Sequence, residues 1–183
     1  WGNNELQYYT YKRLENARIE NGKLIIEARK ESYLGSNYTS ARLVSKYKGD
    51  WLYGNVEVRA KLPGGIGTWA AIWMLPTDWF YGSWPKSGEI DIMEHVGYDE
   101  GNIHGTIHTE AYNHTLGTQK GGSMMVSDAL DTFHVYKAKW TPEKIEIYVD
   151  DTKYFTFNNE HTGYTTWPFD KRFHLLLNLA VGG

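Results

Sequence analysis

The stretch Ser87-Gly88-Glu89-Ile90-Asp91-Ile92-Met93-Glu94-His95 places three carboxylic acids within six positions, interleaved with large apolar side chains. In a regular strand, successive side chains point to opposite faces, so Glu89 and Asp91 share one face while Ile90 and Ile92 take the other. Glu94 would then point into the core, where an unpaired carboxylate is strongly unfavourable. A β-bulge at Ile92-Met93 removes the conflict, because one extra residue shifts the parity and returns Glu94 to the acidic face. Three carboxyl groups on one face repel each other, a cost carried more readily at a functional site than on an idle surface. Glycosidic bond cleavage uses such a set: one carboxylate attacks the anomeric carbon and one carboxylic acid protonates the leaving oxygen. Asp91 between them can hydrogen-bond one Glu and push a neighbouring pKa upward. Taken alone, the spacing also fits a solvated acidic strand face or a calcium site built from carboxylates.

The elements that must position these acids read as strands. Val56, Val58, Ala60 and Leu62 alternate with Glu57, Arg59 and Lys61, the pattern of a strand with one wet face. Leu24, Ile26 and Ala28 alternate in the same way after the turn pair Asn21-Gly22. Phe133 to Trp140 and Ile145 to Val149, separated by Thr141-Pro142-Glu143-Lys144, predict a hairpin, and a turn at 150–152 leads into Tyr154 to Phe157. Further strands are expected over Leu43 to Tyr47, Trp69 to Leu75, Glu89 to Glu94, Ile103 to Thr109 and Phe173 to Val181. Ser127 to Phe133 is the best short helical candidate, and no longer helical period exists. Many short antiparallel strands without helical crossovers predict an all-β, two-sheet antiparallel β-sandwich, one domain over 1–183.

Composition narrows the partners. The 183 residues suit a single domain, and a net charge of −3 without a basic run argues against nucleic acid and against a membrane surface. No apolar stretch is long enough to span a bilayer. The absence of cysteine excludes disulfides and thiol catalysis. Eight Trp, 14 Tyr and 6 Phe supply flat apolar faces with polar edges, as a sugar-stacking groove requires. Trp84 lies just upstream of Glu89, on a loop able to fold over a cleft and stack on a sugar. Trp69 and Trp73 share one strand face; since that face cannot be core and cleft along its whole length, one of them is expected to be structural. Trp79, Phe80 and Tyr81 form an aromatic loop that either extends the groove or packs on the surface. His104, Thr106 and His108 share a face on the strand after the acids. A histidine pair four apart on a strand is too widely spaced for one ion, so no metal site is expected there.

Glu89-Ile90-Asp91-Ile92-Met93-Glu94 resembles the bulged E-x-D-x-x-E signature of glycoside hydrolase family 16. Trp1 to Glu5, Gly67 to Trp69, Trp73 to Pro76, His104 to Thr109 and Leu177 to Gly183 resemble its laminarinases in order and spacing. The resemblance implies a jelly roll of the concanavalin A-like kind with a sugar cleft across the concave sheet. It implies retaining endo-hydrolysis of β-1,3-glucan by double displacement, with Glu89 as nucleophile, Glu94 as acid/base and Asp91 as their helper. By the same resemblance Asn3, Arg42, Trp69, Trp73, Trp84, His108 and Asn178 contact sugar or the acids. No cofactor is required; the family often carries a structural calcium, whose ligands the sequence does not place. Related enzymes cut mixed-linkage glucan or galactans, although the Met93 bulge sides with laminarinases against bulge-free lichenases. A reading of another class is a non-catalytic glucan-binding module, which has no need of both Glu89 and Glu94. Compared with the family, the chain lacks strands at both ends, so unpaired edges, an incomplete core and a complementary segment that supplies those strands are expected. The polymer substrate implies secretion.

Overall fold

A computed structural model describes residues 2–183. After a short 3-10 turn over Gly2–Asn4 come β1 (Gln7–Tyr9), β2 (Ala17–Glu20), β3 (Lys23–Ile26), β4 (Arg29–Tyr33), β5 (Ser36–Ser40), β6 (Arg42–Val44) and β7 (Asp50–Trp51). The middle of the chain forms β8 (Gly54–Ala60), β9 (Thr68–Pro76), β10 (Glu89–Val96), β11 (Asn102–His108) and β12 (Lys120–Met125). The last strands are β13 (His134–Trp140), β14 (Lys144–Val149), β15 (Thr152–Asn158) and β16 (Phe173–Val181).

One sheet runs β12-β11-β10-β9-β16-β6, with β7 also paired to β16, and a second runs β15-β14-β13-β8. Their alternate residues meet in one core. Met74, Ile90, Ile92 and Phe173 come from the first sheet; Tyr136, Trp140, Ile145 and Ile147 come from the second. Trp140 is the largest of the fully buried side chains, and its indole N–H donates to the Phe169 carbonyl at 3.1 Å, so its one polar atom is satisfied. The β13–β14 hairpin forms where the turn residues require it, with Thr141 Oγ1 accepting from the Glu143 and Lys144 amides.

Four details differ from the sequence reading. Residues 127–133 form turns rather than a helix, because the Ala129 carbonyl accepts from the Leu62 amide instead of continuing a helical ladder. The strand expected to reach Tyr47 stops at Val44, and Tyr47 has a left-handed φ of 62°. β1, β2, β4, β5, β7 and β12 lacked a pattern that marked them. In β12 the glycines hide the period: a Cβ on Gly121 would lie 2.6 Å from the Gly105 carbonyl oxygen, so close strand approach selects glycine there. Finally, β1 pairs with β5 in parallel, an exception to the antiparallel rule.

The hairpin β2–β3 stands apart from β8. Between β3 and β8 opens a groove of about 570 Å³, floored by Ala70, Ile72, Met93, Leu177 and Leu179. Neither β3 nor β8 has a strand partner on the groove side among the described residues.

Candidate active site

The acids stand where they do because β10 is bulged. Against β9, Asp91 pairs with Trp73 and Glu94 with Ala71, the register shifting between Asp91 and Met93; against β11, Asp91 pairs with Thr106 and Glu94 with His104. The extra residue is taken up inward, so that Ile90, Ile92 and Met93 are all buried in the core. Glu89, Asp91 and Glu94 therefore line one pocket, together with Asn3, Glu5, Trp69, Trp73 and Asn178.

Each carboxyl has its own neighbour. The Trp84 indole N–H donates to Glu89 Oε2 at 2.8 Å, and the Trp69 indole N–H donates to Glu94 Oε1 at 3.0 Å. His108 Nε2 lies 3.3 Å from Asp91 Oδ2, with both side chains almost wholly enclosed. On the far side of β9, the Trp73 indole donates to Asn178 Oδ1 at 2.6 Å, and Asn178 Nδ2 donates to the Tyr9 hydroxyl at 3.1 Å. The Arg42 guanidinium lies 4.5 Å from the Trp73 ring centroid, a cation–π contact that holds it beside the pocket.

Burial pushes all three carboxyl pKa values up. For Glu89 the next cause is the Asp91 charge, and for Asp91 it is the Glu94 charge. Glu94 is raised by burial and partly relieved by the Trp69 donor, His108 and His104. Burial and mutual repulsion thus oppose full ionisation of the set, and Asp91 and Glu89 share a hydrogen bond. The Trp84 N–H favours the ionised form of Glu89, since a donor stabilises a carboxylate and not its acid. Glu89, Asp91 and His108 also offer one ligand atom each within 4.8 Å of one another, so among the described residues these three form the group that could grip a cation.

Asn3, Trp69, Trp73 and Asn178 line the pocket with the three acids, Arg42, Trp84 and His108 adjoin it, and Tyr81 packs on Tyr164 in the surface loop instead. The expectation that Trp69 or Trp73 is structural is corrected: both face the pocket with Ala71 between them, while Ala70, Ile72 and Met74 supply the core. Trp84 bonds Glu89 and packs against His108 and His114. His108, rather than His104, meets the acids directly, and His104 instead lies 3.5 Å from Asp99. Sequence reasoning missed Glu5 and Tyr9, which no spacing links to the acids. It also missed His114, whose ring lies 4.9 Å from that of Trp84.

A solvent-reached pair of carboxyls with raised pKa values, in an aromatic-walled cleft on a β-sandwich, defines a glycosidase-type site. A profile of Glycosyl hydrolases family 16 matches residues 4–183, and the chain belongs to that family. It is 58% identical to a beta-glucanase of Rhodothermus marinus, over all of this chain and 66% of that protein. The crystal structure of the laminarinase from Rhodothermus marinus superposes with a TM-score of 0.98 at 58% identity, over all of this chain and 76% of that one. A glucan endo-1,3-beta-glucosidase of Cryptopygus antarcticus is 41% identical, over all of this chain and 72% of its own length.

Proposed function

We propose that this chain is a retaining endo-hydrolase of β-1,3-glucan, with Glu89 as nucleophile, Glu94 as acid/base and Asp91 as the group that shares a proton with Glu89. The observation that carries this reading is the bulge of β10, which sets Glu89 and Glu94 on one cleft face with Asp91 between them. Glu89, held by the Trp84 N–H, attacks the anomeric carbon. Glu94, whose pKa burial raises, gives its proton to the departing glycosidic oxygen. The ester so formed removes the charge of Glu89, the pKa of Glu94 falls, and Glu94 takes a proton from the water that opens the ester. Carboxyl groups alone carry these steps, so no cofactor enters them. Trp73, Arg42, Asn178 and Asn3 form a wall with one flat apolar face and several donors, the combination that binds a pyranose ring. The polymer places the action outside the cell. The groove between β3 and β8 suits one further strand, and a complementary strand is its proposed occupant.

The test is reducing-end release from laminarin, with lichenan, agarose and carboxymethylcellulose alongside. Glu89→Gln and Glu94→Gln should each lower turnover by about 10³-fold or more while leaving laminarin binding intact. Undiminished turnover in either variant refutes the assignment. Laminarin binding without hydrolysis by the unaltered protein identifies a binding module, and preferential release from lichenan or agarose changes the polymer.

A further inference from the structure

Two loops meet behind Glu89. The loop before β10 carries Trp84, whose indole grips the carboxylate, and it is stiffened by Ser87, whose hydroxyl accepts from the Tyr81 amide and donates to the Gly82 carbonyl. The loop after β11 carries Glu110, Asn113 and His114. Asn113 is buried and locks that loop from within: its side-chain amide donates to the Thr109 and Glu110 carbonyls, its backbone amide donates to Thr118 Oγ1, and its side-chain oxygen accepts from Thr115 Oγ1.

The loops touch at two points. Lys86 Nζ lies 3.4 Å from Glu110 Oε1 across the outside. Inside, the His114 ring packs on Trp84 at 4.9 Å between centroids, inclined by 34°, and stands edge-on to His108 at 5.3 Å and 87°. Trp84 and His108 are themselves 5.9 Å apart, so the three rings form a closed triangle. Trp84 reaches Glu89 and His108 reaches Asp91, whereas His114 reaches no carboxyl in its own right. His114 is exposed and carries no core load, yet it is the one ring that packs on both.

We infer that His114 is a positioning residue for the nucleophile: its ring braces Trp84, and through Trp84 it fixes the orientation of the Glu89 carboxylate. This rests on the reading of Glu89 as nucleophile. Orientation of this kind has a steep rate dependence, since small displacements of a reacting group cost large factors. The brace works through ring area, so an apolar ring should replace the imidazole.

The experiment compares His114→Ala with His114→Phe on laminarin and on a dinitrophenyl laminaribioside, whose leaving group departs without protonation. kcat/KM for both substrates reports the step in which Glu89 attacks. His114→Ala should lower it about tenfold on both, and His114→Phe should bring it back to within about threefold of the unaltered protein. In parallel, NMR exchange of the Trp84 indole N–H should accelerate in His114→Ala and not in His114→Phe. A fall on laminarin alone assigns His114 to the leaving-group side and overturns the proposal. An Ala variant as active as the original, or a Phe variant as poor as Ala, overturns it as well. If the unaltered protein cleaves neither substrate, the nucleophile reading falls, while indole exchange still decides the brace: unchanged exchange in His114→Ala removes it.

Discussion

The two indole donors, one on each glutamate, set up opposite consequences for the pH profile. A donor to a carboxylate stabilises the ionised form, so removing it raises the pKa. Glu89 must be ionised to attack and Glu94 must be protonated to donate, so the acid limb of kcat/KM belongs to the first and the alkaline limb to the second. Trp84→Phe should therefore move the acid limb to higher pH, narrowing the profile. Trp69→Phe should move the alkaline limb to higher pH, widening it. Because the Trp84 donor also fixes the direction of the Glu89 carboxylate, its loss should lower kcat/KM by about tenfold through misorientation. The Trp69 donor acts on the group that must stay protonated, so its loss costs far less in the chemical step. The check is kcat/KM across pH for both variants; the reverse pairing of limbs would exchange the two glutamates, and limbs that move together would refute a separate limb for each.

At the scale of the element, the bulge is the part of the site most legible in the sequence, because a Glu in phase with the core forces one. β10 pairs with Trp73 opposite Asp91 and with Ala71 opposite Glu94, and the inward residues Ile92 and Met93 absorb the shift. Deleting Met93 would remove the extra inward residue and restore regular alternation, with Glu94 kept on the face of Glu89 and Asp91 and one core side chain lost. That variant should be destabilised by about 2 kcal/mol or more, in denaturant unfolding, from the lost core side chain, and should keep measurable laminarin hydrolysis because Glu94 stays on the cleft face. Unchanged stability would mean that Met93 carries no core load, and loss of all hydrolysis in the folded variant would mean that the bulge sets the reach between the two glutamates. Other parts were not legible for physical reasons. β12 is glycine-rich where strands approach closely, so its period is invisible. Asn178, Tyr9 and Arg42 reach the pocket through pairings across long sequence separations, with no local signature. The family resemblance marked Asn178 and Arg42 and covered Glu5 without giving it a role, but nothing marked Tyr9.

At the scale of the molecule, the sandwich is continuous on the cleft side and interrupted on the other. The seven-stranded sheet that carries the acids is buried against β8 and β13 to β15, yet β3 and β8 face one another across a groove with an apolar floor. An exposed strand edge leaves alternate amides and carbonyls to water, and an apolar floor without a cover forgoes about 25 cal/mol for each Å² left wet. Hydrogen exchange can read this directly. In the 183-residue protein, the β8 amides bonded to β13 should be protected, while those directed into the groove should exchange at rates near those of open chain. Fusing a strand of alternating apolar and polar residues across the groove should slow those amides and raise the melting temperature. Because Leu177, Leu179 and Ala70 floor the groove while Asn178 and Ala71 face the acids from the same two strands, the fusion should also tighten the cleft and raise activity on laminarin. Groove-side amides of β8 already protected before any strand is added would show that the hairpin β2–β3 closes the sandwich unaided.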